Sequence, residues 1–214
     1  MNSLLIVLAA VDVFIGTSGV GNTQVAAAYP FGMVQAGPDV SERENAFRMG
    51  SYYCSGYQHK SPYIWRFSQT HLSGTGCPGL GNFGIMPFGG EWDVEARGFK
   101  KDFASEAGEP GYYTVTIDNG LGATKVEIAA LEHTAVYRFR FGEKDKKVRL
   151  LVDLDWAVCN RCDSNTLSGD IWWLKFVRNS QFKLADDFTV KGGHSIWTWN
   201  DYTYYFTLKA SSRI

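Results

Sequence analysis

Hydrophobic and polar residues alternate along the second half of the chain with a period of two. In the run from Tyr112 to Ile117, Tyr113, Val115 and Ile117 fall on one side and Thr114 and Thr116 on the other, the signature of a half-buried strand. The same alternation sets Tyr137, Phe139 and Phe141 against Arg138 and Arg140. It also sets Tyr202, Tyr204, Phe206 and Leu208 against Thr203 and Thr207. Between Val148 and Trp156 the apolar residues Val148, Leu150, Val152, Leu154 and Trp156 oppose Arg149, Asp153 and Asp155, which read as an outward stripe of charge rather than a catalytic carboxylate pair. Asn119-Gly120 supplies a turn signal. No stretch carries a long, well-capped helical pattern, so the fold class predicted is all-β, an antiparallel β-sandwich.

The first half is punctuated differently. Pro30 and Pro38 bracket FGMVQAG, an apolar run between turn formers and an expected strand, and Ser41 to Tyr53 carries mixed charge as a surface excursion. From Trp65 to Pro87 the sequence WRFSQTHLSGTGCPGLGNFGIMP holds Gly74, Gly76, Gly79, Gly81 and Gly84 among Ser68, Gln69, Thr70, His71, Ser73 and Thr75. Glycine suits positive φ or close backbone approach, so this stretch is expected to be a shaped polar loop, able either to read hydroxyl-rich ligands or simply to link two strands. Tyr52, Tyr53, Tyr57 and Tyr63 lie just ahead of it. Such rings can stack on the C–H face of a sugar, or they can pack a sheet. Ile15 to Thr23, IGTSGVGNT, has neither the spacing of a dinucleotide-binding loop nor the Lys-Ser or Lys-Thr of a P-loop.

Composition narrows the partners. The 214 residues fit one large domain, and a net charge of −1 gives no electrostatic footprint for nucleic acid or anionic lipid. Of Cys54, Cys77, Cys159 and Cys162 only the last two form C-x-x-C, without further metal ligands at suitable spacing; Cys54 and Cys77 could pair in an oxidising compartment. Leu4 to Val11 is too short to span a bilayer and reads as the remnant of a secretory h-region or as a first strand, in residues 1–10.

The motifs VDVFIGTSGVGNT, YPFGMVQAGPD, CSGY and FSQTHLSGTGC, in that order and followed by PGYYTV, resemble the start of glycoside hydrolase family 92, the exo-acting α-mannosidases. The resemblance implies that residues 11–214 form the N-terminal β-sandwich, of the supersandwich type seen in galactose mutarotase-like proteins. It implies a secreted or periplasmic protein acting on α-mannosides or N-glycan mannose by inversion, with calcium expected in the full-length enzyme. Catalytic groups are expected on a following (α/α)6 barrel that this chain lacks, the chain ending at Ile214 within a strand-like run. No catalytic residue and no metal ligand is therefore assigned here. The positions matching a sugar-positioning role are Tyr53, Tyr57, His71 and Ser73, with a buried, loop-shaping role equally open for His71. Gly19-Val20-Gly21-Asn22 stands where the family more usually has Gly-His-Gly-His, and Tyr53 stands where tryptophan is common. The alternatives are a stand-alone carbohydrate-binding module and a structural docking domain.

Overall fold

The computed structural model describes residues 10–29, 32–42, 44, 55–74, 81–89, 98–143, 147–154, 156, 176–197 and 202–211. Tyr52, Tyr53, Asp155 and all four cysteines lie outside the described residues, as does the start of the apolar run at Leu4.

Every regular element among the described residues is a strand. In chain order they are β1 (Ala27–Ala28), β2 (Gln35–Ser41), β3 (Tyr63–Thr70), β4 (Gly81–Gly89), β5 (Phe99–Glu109) and β6 (Tyr112–Asp118). There follow β7 (Ala123–Ala130), β8 (Ala135–Arg140), β9 (Val148–Asp153), β10 (Phe176–Asp186), β11 (Thr189–Trp197) and β12 (Tyr202–Lys209). A nine-stranded sheet runs β1-β2-β3-β5-β6-β7-β8, with β4 joined to β3 and β9 to β4, while β10-β11-β12 form a three-stranded sheet. All pairings are antiparallel.

The period-two pattern explains the layers. Tyr113, Val115 and Ile117 of β6 and Val126 and Ile128 of β7 turn inward, meeting Val40, Ile64, Phe67, Ile85 and Met86 in one buried core. The small sheet seals one side of it through β12, where Phe206 stacks on Phe83 with centroids 4.1 Å apart. Tyr202 adds a hydroxyl bond of 3.0 Å to Asn82 Oδ1. The fold class is thus the all-β antiparallel sandwich that the alternation predicts.

Three expectations shift. The stretch Trp65 to Pro87 is mostly not a loop: its two ends are β3 and β4, and only His71 to Gly74 is described as a connection. Gly84 belongs in a strand because a Cβ there would meet Arg66 Cβ at 2.8 Å and Trp156 Cδ1 at 3.0 Å, so the glycine makes room for two large buried side chains. The strand expected between Pro30 and Pro38 begins at Gln35 and continues to Ser41. Pro38 lies within it opposite Phe67 of β3, beyond the two residues, Gln35 and Ala36, that pair with β1 on the other side. Finally, Asp153 is not part of an outward stripe: it is buried against Arg66.

Candidate functional site

Four of the sequence motifs meet at one edge of the sandwich. The amide of His59 donates to the Thr17 carbonyl at 3.0 Å, and Gln58 Nε2 donates to the Gly19 carbonyl at 2.7 Å, tying IGTSGVGNT to the residues after Gly56. Gly74 N donates to the Asn22 carbonyl at 2.7 Å and Gln24 N to Ser73 Oγ at 3.3 Å, so the same loop is tied to THLSG. Ser73 is exposed, and Leu72 and Val20 stand beside this polar seam 50% and 73% exposed.

Beneath the seam lies a buried ionic base. Asp39, on β2, accepts from His71 Nε2 at 2.9 Å and from Trp156 Nε1 at 2.6 Å. His71 Nδ1 faces the Gln35 carbonyl at 2.7 Å. Facing a carbonyl and a carboxylate, the ring has an acceptor for a hydrogen on each nitrogen, a geometry that favours the charged imidazole. Burial works against that charge as the strongest single influence, yet the Asp39 charge and hydrogen bond, with the Gln35 bond, together raise the imidazole above its ordinary range. Ser68 Oγ also approaches His71 Nε2, at 3.2 Å. This is not a nucleophilic triad, because serine and aspartate share one nitrogen and the other already donates to a carbonyl, leaving no base to take the serine proton.

The base extends through Arg66, fully buried, whose Nε donates to Asp153 Oδ2 at 3.0 Å while its guanidinium lies 5.0 Å from the Trp156 ring centroid. Gly56, at φ +85°, shows why CSGY needs its glycine: a Cβ would sit 2.5 Å from Asp39 Oδ1 and 3.3 Å from His71 Cδ2.

Tyr57 points away from His71, into a second buried cluster. Its hydroxyl donates to Glu106 Oε1 at 2.8 Å, and Tyr113 donates to the same oxygen at 2.6 Å. Lys101 Nζ donates to Glu106 Oε2 at 2.8 Å and to the His59 carbonyl at 3.0 Å. Burial, followed by the Glu106 charge, drives both phenols upward. Burial also pulls Lys101 below its ordinary range despite Glu106.

Of the residues singled out from sequence, the structure therefore brings His71 and Ser73 together on one loop, Ser73 on the surface and His71 under it. Tyr57 is in the core with its hydroxyl engaged, and Tyr53 is outside the described residues. Asp39, Trp156, Glu106 and Lys101 were not foreseen. Asp39 stands inside the quoted QAGPD motif, but its partner Trp156 is 117 positions away, a pairing that no local pattern announces. Among the described residues no group of three or more histidine, cysteine or acidic side chains could hold a metal.

Fold and edge define an all-β sandwich domain that presents loop-borne polar groups on a rigid buried base. Residues 10–214 match the glycosyl hydrolase family 92 N-terminal domain. An uncharacterized secreted glycosidase of Arthroderma benhamiae is 32% identical over 162 residues, covering 69% of this chain and 20% of that protein. A GH92 α-mannosidase of Bacteroides thetaiotaomicron, solved in complex with mannoimidazole, superposes with a TM-score of 0.77 at 26% identity, over 96% of this chain and 25% of that one. A structure of the same α-mannosidase described without that ligand gives 0.76 at 27% identity, covering 95% and 26%. The chain belongs to glycosyl hydrolase family 92, as its N-terminal domain. It spans a fifth of the length of that secreted relative and about a quarter of the solved mannosidase.

Proposed function

We propose that this domain serves a calcium-dependent, inverting exo-α-mannosidase with α-1,2 preference, shaping the rim of the mannose pocket while the carboxylates of the reaction come from a following (α/α)6 barrel. The observation that carries this reading is the convergence of IGTSGVGNT, QAGPD, CSGY and THLSG on one edge over the Asp39–His71 base. Ser73 then offers its exposed hydroxyl to a sugar, with Tyr53 as the stacking ring. His71 and Tyr57 act from beneath by fixing the backbone that carries the rim. Such positioning lowers the barrier by holding the sugar rather than by moving a proton. Inversion requires an acid and a base roughly 6.5–9.5 Å apart, and those are assigned to the barrel. Export from the cytoplasm is part of the proposal, supported by the apolar run at Leu4 to Val11 and by the relative named as secreted. No helix among the described residues is long and apolar enough to cross a membrane.

A second reading, a docking domain, draws on the exposed Ile15, Val20 and Leu72 at the same edge. Calorimetric titration of the chain with mannose and α-1,2-mannobiose, beside an assay of mannose release with and without calcium, separates the possibilities. A rim alone gives weak or no binding and no release. Tight binding without release, weakened by Tyr53→Ala or Ser73→Ala, would instead mark a self-sufficient carbohydrate-binding module. Calcium-dependent release by this chain alone would sink the assignment of catalysis to the barrel.

A further inference from the structure

A second polar face of the molecule is independent of the rim. On the outer side of β5 and β6, an open groove of about 870 Å³ is lined by Lys100, Asp102, Phe103, Thr116, Asp118 and Glu143, among others. Its floor follows from the register. Lys101 pairs with Ile117 and both turn inward, which sends Lys100, Asp102, Thr116 and Asp118 to the opposite face. The register slips between Asp102 and Ala107, and this bulge carries Phe103 out of the ladder.

Phe103 is 43% exposed, yet it is not loose. Lys101 Nζ lies 4.7 Å from its ring centroid, and the His59 ring meets it edge-on at 6.2 Å. Lys101 is in turn clamped by Glu106 and the His59 carbonyl, so the buried cluster fixes the ring from one side and leaves part of it facing solvent. The same groove presents a carboxylate, a hydroxyl and an ammonium, those of Asp118, Thr116 and Lys100. Asp102 Oδ1 accepts from the Ala104 amide at 3.0 Å, which holds the bulge.

We propose that this groove is a binding site for a neutral hexopyranoside, separate from the Ser73 edge. A pyranose combines a flat C–H face, suited to a fixed aromatic ring, with hydroxyls that donate to carboxylates and accept from an ammonium. Asp102, Asp118 and Glu143 stand against Lys100 and Lys101, the latter already paired with Glu106, and so disfavour phosphorylated or acidic ligands. The groove volume falls within the usual range for small-molecule sites. It shares no lining residue with the rim, so it would let the domain hold a glycan while the rim addresses another residue of the same chain of sugars.

The test is an amide NMR titration of the chain with methyl α-mannoside, glucose and galactose at millimolar concentrations. Saturable shifts are expected at residues 100–104 and 116–123 with at least one of these sugars. Phe103→Ala and Asp118→Asn should each weaken that binding about tenfold or more, the second leaving the groove's shape intact. Ser73→Ala should leave it unchanged, which separates this site from the rim. Absence of shifts, shifts confined to residues 22–24 and 71–74, affinity indifferent to both groove variants, or equal binding of tetramethylammonium would each overturn the proposal.

Discussion

Two of the buried ion pairs among the described residues are built alike and behave oppositely. His71 with Asp39 and Lys101 with Glu106 are both almost wholly removed from water. Burial disfavours charge in both. The imidazole nonetheless rises, because it meets a carboxylate on one nitrogen and a carbonyl on the other. The amine falls, because burial outweighs the Glu106 charge and hydrogen bond, even though it too meets a carboxylate and, at the His59 carbonyl, a second acceptor. A carboxylate and a carbonyl therefore do not by themselves fix the direction; the balance between burial and those partners does.

The sharpest way to break the contrast is Asp39→Ala. It strips His71 and Trp156 of their acceptor at once, and breaking a buried pair from one side costs about 3–5 kcal/mol. Urea unfolding monitored by tryptophan fluorescence should show it, and a loss below about 1 kcal/mol would mean that the pair is not closed in solution. Gly56→Ala comes next, at about 1–3 kcal/mol, since it combines a strained positive φ with a Cβ pressed on Asp39. Thermal melts measure it, and pairing it with Asp39→Ala should give strongly non-additive losses because the two residues touch. Glu106→Gln should cost less, about 1–2 kcal/mol, since the amide oxygen still accepts from the tyrosines and Lys101 keeps the His59 carbonyl as an acceptor. If it proved more damaging than Asp39→Ala, the ranking of the two pairs would be wrong. The gentlest probe is pH. His71 has a folded pKa above its ordinary 6.5, so its contribution is fully present below about 6.5 and is lost as pH rises through the folded value. Unfolding midpoints of the wild type should fall over that window, and His71→Gln should flatten this part of the profile.

The sandwich was legible because alternation is a local signal. Tyr113, Val115 and Ile117 announce a buried face within six residues, and the sheet honours it. Ser73 was also legible, from the glycines and hydroxyls around it. What escaped was everything held by long-range polar contacts. Glu106 sits in FASEAGE, a segment with no clean alternation, because the bulge in β5 breaks the period just where the carboxylate turns inward. Asp153 looked like surface charge, and only the space opened by Gly84 explains how Arg66 reaches it. Trp65 to Pro87 looked like a loop because its glycines were counted as turns, whereas Gly84 serves close packing between strands.

The bond from Trp156 to Asp39 bridges 117 positions of sequence. At ribosomal rates of 5–20 residues per second, Asp39 is made on the order of 10 s before its indole partner exists. During that interval His71 and Asp39 can meet, but Arg66 has neither Asp153 nor the Trp156 ring, and the cavity beside Gly84 stays open. During that stage the partners of Asp39 and Arg66 are incomplete, and this buried base closes only once Trp156 has been made, before β12 arrives to seal the core.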